Sequence, residues 1–281
     1  MRVCHGLGVA GLVLAVAGTA AAAAASGPVE DFITAARDAD IVVLGEIHDN
    51  PEHHRVQAAI VAALSPAALV FEMIPQEREA IVNEVRDSGG ASGALAETLD
   101  WDESGWPAFD FYAAIMDAAP EARIFGAGQP NADVRRAMLE GAAGVFGPDS
   151  TIYGLDQPLE PAERAAREAI QAAAHCDMLS PEVLPGMVEA QRFRDAGLAD
   201  ATLWARIMTD GGQVVVIAGS GHADSLRGMP AMLAQADPDA VVLTLGQFET
   251  APEDGDAFDA VLLAAPPQRT DPCAALEALP D

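Results

Sequence analysis

Residues 41–57, Ile41-Val42-Val43-Leu44-Gly45-Glu46-Ile47-His48-Asp49-Asn50-Pro51-Glu52-His53-His54-Arg55-Val56-Gln57, are the stretch from which the rest of the chain is read. An apolar run rich in β-branched residues stops at Gly45 and is followed at once by Glu46, His48, Asp49, His53 and His54. The run predicts a buried strand, and Asn50-Pro51 predicts a helix with an asparagine cap and proline in its first position. The polar residues then gather at the carboxyl end of a strand, beside the positive end of a helix, where open α/β sheets place their ligand sites. The alternative is a solvated loop that holds histidines. The closeness of Glu46 and His48 to the buried run argues against it.

The pattern recurs outward from this stretch. Ala67 to Glu72 is a second apolar run ending on a carboxylate, and Arg123 to Ala127 is a third. Gln213 to Ala218 runs into Gly219-Ser220-Gly221-His222, and Val241 to Leu245 and Ala260 to Leu263 follow as later strands. Helical spacing separates the early runs, over 51–64, 75–86, 109–118 and 132–140. Strand signals vanish from Glu160 to Met208, so residues 160–209 read as a helical insert, broken at Ser180-Pro181 with Gly197 as a second candidate break. The fold class expected is α/β: a mostly parallel sheet with helices on both faces and a helical insert between the early and late strands. Residues 26–281 are expected to form a single domain, and no internal repeat is present.

Residues 1–25 read as a signal peptide, with Arg2, an apolar stretch from Leu7 to Ala17 and small residues from Ala21 to Ala25 that place cleavage near Ala25 and Ser26. The mature protein is therefore expected in the periplasm or otherwise exported. The apolar stretch is shorter than the roughly 20 residues of a spanning helix, so no transmembrane segment is expected in the mature chain. The formal charge is −28, from 43 acidic and 15 basic residues, and every basic residue is arginine. Such a surface repels phosphate backbones, and nucleic acid is not expected as a partner. Cys176 and Cys273 remain after cleavage, either as a disulfide tying the tail to the helical insert or as two separate buried thiols.

Two strand ends share one arrangement, since Gly45 and Gly219 each precede a histidine, His48 and His222, by three residues. Glycine is expected to let the backbone turn sharply there. If the two strands are neighbours, His48 and His222 converge, and Glu46 and Glu72 bring carboxylates to the same crevice. Such a set can bind a divalent metal through Glu46, His48 and His222, or act as acid and base on a substrate carbonyl. The plainer alternative has Glu46 accepting backbone amides and the histidines buried neutral. His53 and Gln57 lie one helical turn apart. With His54 they either support His48 from behind or form an ordinary polar helix start.

Leu44-Gly45-Glu46-Ile47-His48-Asp49-Asn50-Pro51-Glu52-His53-His54, the second strand ending Val70-Phe71-Glu72-Met73, the segment from His175 to Gly197 and the late Ile217-Ala218-Gly219-Ser220-Gly221-His222 resemble, in order, the ChaN-like haem-binding uptake proteins of the Tiki superfamily. The resemblance runs through most of the mature chain. It implies an exported α/β protein of haem or iron uptake, in which relatives can hold haem between two subunits, so a homodimer on haem binding is expected. The wider superfamily, with Tiki-type proteases, TraB-like proteins and erythromycin-esterase-like enzymes, uses paired glycine-to-histidine motifs and glutamates as a hydrolytic, sometimes metal-dependent, site. That site corresponds to Glu46, His48, Glu72 and His222.

Haem needs an axial ligand, for which His, Cys, Met and Tyr serve. No Cys-x-x-Cys-His is present, so covalent attachment is not expected. The candidates are the chain's two tyrosines, Tyr112 and Tyr153, and His175 in the helical insert, beside methionines and leucines that can cover a porphyrin face. Each also has a plain reading, as packing or as a helix cap. Arg192 and Arg194 pair either with haem propionates or with Asp195 and nearby carboxylates on the helix surface.

Overall fold

A computed structural model describes residues 27–252, 257–270 and 273–274. The expected leader and its cleavage point near Ala25 and Ser26 lie outside the described residues, as do residues 253–256, which the sequence reads as part of a turn from Pro252 to Asp256. The chain begins with α1 (Pro28–Ala36), β1 (Ile41–Glu46), α2 (Pro51–Leu64) and β2 (Ala68–Pro75). Four helices follow, α3 (Glu79–Asp87), α4 (Ser92–Thr98), α5 (Trp101–Ser104) and α6 (Phe109–Asp117), and lead to β3 (Arg123–Gly128). Then come α7 (Asn131–Glu140), α8 (Ala142–Phe146), α9 (Pro161–Ala174) and α10 (Leu184–Met208). The last part is β4 (Val214–Gly219), α11 (Ser220–Ala223), α12 (Met229–Ala236), β5 (Val242–Phe248) and β6 (Ala260–Leu263).

The six strands form one parallel sheet in the order β3-β2-β4-β1-β5-β6. Every residue of β1 and β4 is buried, as befits central parallel strands covered on both faces. Alternation sorts their side chains into two cores. Val42, Leu44, Leu69, Phe71, Val215 and Ile217 join the first core with Ile60, Tyr112 and Ile115 of α2 and α6. Ile41, Val43, Val70, Val214 and Val216 join the second with Phe193, Leu198 and Ala205 of α10.

The expected α/β class and parallel sheet are what the structure shows, with all six expected strands present. The insert is a pair of helices, α9 and α10, broken at Ser180-Pro181 as the sequence indicates. It does not break at Gly197, because α10 runs unbroken through 25 residues. Glycine stands there for room: a Cβ would lie 2.2 Å from the Gln129 amide nitrogen.

The two strand-end glycines also differ from expectation. Neither Gly45 nor Gly219 has positive φ, so neither makes a sharp turn. Gly45 lies inside β1, and a Cβ on it would sit 3.0 Å from the Ala223 Cβ and from Ser220 of α11. A Cβ on Gly219 would approach the His48 ring nitrogen to 3.1 Å. Both are glycine because the site is built against their bare backbone.

Candidate functional site

The crevice forms where β4 lies between β1 and β2. Pairing of Glu46 with Gly219 sets the ends of β1 and β4 level, and β2 runs along the other edge of β4. His48 leaves the end of β1, Glu72 stands on β2, and His222 sits on the single helical turn α11 that follows β4. The fourth member is Asp195, from the middle of α10, which crosses behind β2 and β3.

These groups form one chain of contacts. Asp195 Oδ1 accepts a hydrogen bond from His222 Nδ1 at 2.6 Å. His222 Nε2 lies 3.3 Å from Glu72 Oε1, and Glu72 Oε2 is 4.0 Å from His48 Nε2. Gly219 donates its amide to Glu72 Oε2 at 2.8 Å. At the far end, Glu46 Oε1 accepts from His48 Nδ1 at 2.8 Å and from the Tyr112 hydroxyl at 3.0 Å. Trp106 meets the His48 ring edge to face, with centroids 4.9 Å apart.

The electrostatics follow from burial and neighbours. Burial works to lower the His222 pKa, but the charges of Glu72 and Asp195 and the hydrogen bonds to them overcome it and push it up to about 10. Burial likewise would raise Glu72, yet the His222 imidazolium, with His48 and the Gly219 amide, holds its carboxyl down at about 2. For Asp195 burial wins and its pKa is raised despite His222. His48 is also raised: burial opposes this, and the hydrogen bond to Glu46 and the charge of Glu72 outweigh it. At neutral pH the crevice thus holds an imidazolium between two carboxylates.

A pH dependence results. His222 has its pKa raised from 6.5 to about 10 by folding, so its contribution is full below pH 6.5 and is lost as pH rises through 10. The chain has no lysine, and burial pushes both tyrosines upward, so few other side chains titrate in that window. Thermal melting of the protein is expected to fall steadily from pH 6.5 to 10. A flat profile across that range would mean that His222 is not held as an imidazolium.

The expected supporting residues take up their posts on α2. Asn50 caps the helix by accepting the Glu52 amide at 3.0 Å, as its sequence position predicts. His53 is buried, and its Nδ1 accepts the Ile47 amide at 2.9 Å, which burial favours by lowering its pKa and keeping the ring neutral. His54 Nε2 donates to the His48 carbonyl at 2.7 Å, while its Nδ1 faces Glu46 Oε2 at 3.3 Å. Gln57 donates to the Leu44 carbonyl at 3.3 Å. His53 and His54 brace the loop that carries His48, Gln57 braces β1, and all three are buried.

The expectation of a divalent metal at Glu46, His48 and His222 finds no support. Among the described residues no three His, Cys, Asp or Glu side chains are grouped to hold a metal ion. The reason lies in how the nitrogens are used. Both ring nitrogens of His222 face carboxylates, so that ring as an imidazolium offers no lone pair.

Two cavities flank the chain of contacts. The larger, of 490 Å³, lies between the strand ends and the α9–α10 pair; His48, His175 and His222 line it, with Ile170, Met187 and Phe248 among its apolar walls. The other, of 440 Å³, lies beneath Trp106 and is lined by Trp101, Leu99, Gln129 and Asn131. Glu72 lines the second cavity, and Arg194 lines both.

The haem-ligand candidates separate clearly. His175 caps α9, and its Nδ1 donates to the Gln171 carbonyl at 2.8 Å; a carbonyl only accepts, so Nδ1 carries a proton and Nε2 is the ring nitrogen left to meet a ligand. Tyr112 is fully buried with its hydroxyl given to Glu46, and Tyr153 is buried with its hydroxyl on Asp200 at 2.8 Å. Burial and the adjacent carboxylates raise both phenol pKa values, which disfavours the phenolate that binds iron. Neither tyrosine lines the two cavities. Arg192 pairs with Glu189 and with the carbonyls of Gly154, Leu155 and Gln157, a structural role. Cys176 and Cys273 are joined in a disulfide, which settles the alternative left open by their sequence.

Sequence reasoning missed Asp195 as part of the site. Its one signal was an acid on a helix rich in alanine, with Val188, Leu198 and Ala199 at helical spacing from it.

Compared with known proteins, residues 32–233 match the family described as haem-binding uptake, Tiki superfamily, ChaN. Among solved structures, ChaN of Campylobacter jejuni, described with cofacial haem binding, is 20% identical over 81% of this chain and 89% of its own, with a TM-score of 0.63. The type III effector HopBA1 is 15% identical, over 85% of this chain and 94% of its own, with a TM-score of 0.48. Erythromycin esterase EreC is 11% identical, over 78% and 72%, with a TM-score of 0.44. At these identities the likeness is one of fold, and the last two scores carry no functional weight. No curated protein matches the chain.

Proposed function

The chain belongs to the ChaN haem-binding uptake family of the Tiki superfamily, and from that membership we propose that it is an exported haem-binding protein serving haem or iron uptake, with His175 as axial ligand. The observation that carries this reading is the way His175 is held. Its Nδ1–H is spent on a backbone carbonyl, the arrangement that fixes a ligating imidazole, and the ring lines a largely apolar cavity. The cavity's 490 Å³ falls in the usual range of small-molecule sites, roughly 300–1,000 Å³. Ile170, Met187, Val188, Phe248 and Phe258 offer apolar surface to a porphyrin, and Arg194 offers charge to a propionate. Iron would supply the ligand-binding and redox chemistry of the group, and this chain's residues would orient it and shield it from water.

Export is supported by the Cys176–Cys273 disulfide, since such bonds persist in oxidising compartments. Among the described residues no helix is long and apolar enough to cross a membrane. Pairing of two subunits on haem binding is supported by exposed apolar residues, Ile170 in the lining of this cavity and Met178 and Leu226 within three residues in sequence of its lining residues His175 and Arg227.

Haem titration of the purified protein is expected to give a saturable Soret band. His175→Ala is expected to weaken binding about tenfold or more and to move that band, because the axial nitrogen is gone. Tyr112→Phe and Tyr153→Phe should leave both readings unchanged. An His175→Ala protein that titrates like the wild type would remove this assignment.

A second reading, acid–base hydrolysis, is favoured by the unbroken sequence of contacts from Asp195 through His222, Glu72 and His48 to Glu46 at the seam of two cavities. Ester hydrolysis that survives in Glu46→Ala and His222→Ala would count against it.

A further inference from the structure

Arg194 stands without a partner among the described residues. It is half-buried, and among the described residues it makes neither a hydrogen bond nor an ion pair. Other buried and half-buried arginines are satisfied from within: Arg78 by Asp100, Arg167 by Glu163, Arg192 by Glu189, Arg206 by Asp40 and Asp237, and Arg86 by the carbonyls of Met116, Ala119, Pro120 and Ala122. In a chain with 43 acidic against 15 basic residues, a carboxylate for Arg194 was abundantly available. The acid beside it in sequence, Asp195, is committed to His222 instead. A half-buried guanidinium with no internal acceptor is a ready partner for an anion from outside.

The cavity beneath Trp106 is shaped to deliver that anion on an organic body. Its walls pair apolar surface, from Leu99, Trp101, Trp106 and Leu198, with the polar ends of Gln129 and Asn131. Gln129 is held at this wall because Gly197 leaves room for its amide. Glu72 also lines the cavity, but its charge is met by His222, so it does not repel an incoming carboxylate as a free acid would. Glu77 stands exposed on the same lining and disfavours a ligand with more than one negative charge.

We infer that the 440 Å³ cavity beneath Trp106 is a second ligand site, for a small monocarboxylate whose anionic end pairs with Arg194 and whose apolar body lies against Trp106, and that its occupancy opposes haem binding through the shared arginine. The site stands on the cavity and on Arg194; only the opposition rests on the haem reading. A guanidinium that lines both cavities gives its forked donors to one carboxylate at a time. By linkage, each ligand then weakens the other by the same factor.

Benzoate is the probe, with benzylamine of the same size and opposite charge as its control. Titration of the whole mature protein, read by calorimetry and by tryptophan fluorescence, is expected to show saturable benzoate binding and none for benzylamine. Arg194→Gln is expected to weaken benzoate about tenfold or more, and Trp106→Ala to weaken it as well. Among the described residues Arg194 makes no hydrogen bond or ion pair, so its substitution should leave the circular dichroism of the fold unchanged; Trp106→Ala tests the other wall independently. Saturating benzoate should raise the haem concentration at half-saturation by a similar factor. The site is overturned if benzoate fails to saturate, if Arg194→Gln binds it as the wild type does, or if benzylamine binds equally. Benzoate binding with an unchanged haem titration overturns the opposition and upholds the site. A protein that takes up no haem defeats the haem reading, while the benzoate arm still decides the site.

Discussion

His222→Ala is expected to lower the folding free energy by about 3–5 kcal/mol, the usual effect of removing one partner from a buried ion pair. The imidazolium lies between Asp195 at 2.6 Å and Glu72 at 3.3 Å. Asp195 has no exposed surface, and one of its oxygens has no other hydrogen-bond donor. Without His222 this carboxylate must either stay charged in a low-dielectric interior or take up a proton, and both raise the energy of the folded state at neutral pH. Urea denaturation measures the loss directly. A protein of this size loses roughly 2–4 °C of melting temperature per kcal/mol, so a fall on the order of 10 °C is expected. Two controls isolate the cause. The deficit should shrink as pH falls toward 4, where protonation neutralises the orphaned Asp195, and the double variant with Asp195→Ala should recover part of the stability. A loss under about 1 kcal/mol, or one that ignores pH, would show that the three groups are not a buried charge network.

Removing the disulfide is expected to have a similar effect by a different route. Cys176 and Cys273 are 97 residues apart in sequence, and a bridge closing a loop of about 100 residues is worth up to ~4.7 kcal/mol on the chain-entropy account, with 2–5 kcal/mol typical. The gain resides mainly in the unfolded state, whose freedom the bridge restricts. Part is offset in the folded state, since Cys176 and Asp177 both have positive φ, of 58° and 57°, a conformation unfavourable for residues other than glycine. The paired substitution Cys176→Ser with Cys273→Ser is therefore expected to fall inside the 2–5 kcal/mol range and below its upper end. Comparison with the reduced wild type separates loss of the bond from loss of the thiols. Equal melting temperatures before and after reduction would contradict the idea that this bond constrains the chain. The bridge also adjoins His175, so both variants are expected to bind haem more weakly than the oxidised protein.

What the amino-acid sequence determined by itself was the inventory of elements. Six apolar runs, each bounded by glycine, proline or a polar cluster, became six strands, and Asn50-Pro51 became a capped helix start. These features are local. Alternation, helical spacing and capping depend on neighbours within a few residues, so the chain states them without reference to its fold. His48, Glu46 and Glu72 were legible as site residues for the same reason: polar groups placed where buried strands end.

Only the tertiary structure decided who meets whom. Val214–Gly219 is as apolar as Ile41–Glu46, and nothing in either run specifies that the fourth strand inserts between the first and second, yet that insertion brings His222 to Glu72 and His48. Parallel strands buried on both faces are nearly interchangeable in pattern, and their order is set by long-range packing of the helices that connect them. The same holds for Gly45 and Gly219, whose lack of a side chain answers to the α11 turn and to the His48 ring, not to their own backbone angles. It holds for Tyr112, which α6 turns inward to Glu46, and for Asp195, which becomes a site residue only when α10 is laid across the sheet. A buried acid is stable only beside the charge that answers it, and here that charge lies 27 residues away in the chain, where no local pattern could announce it.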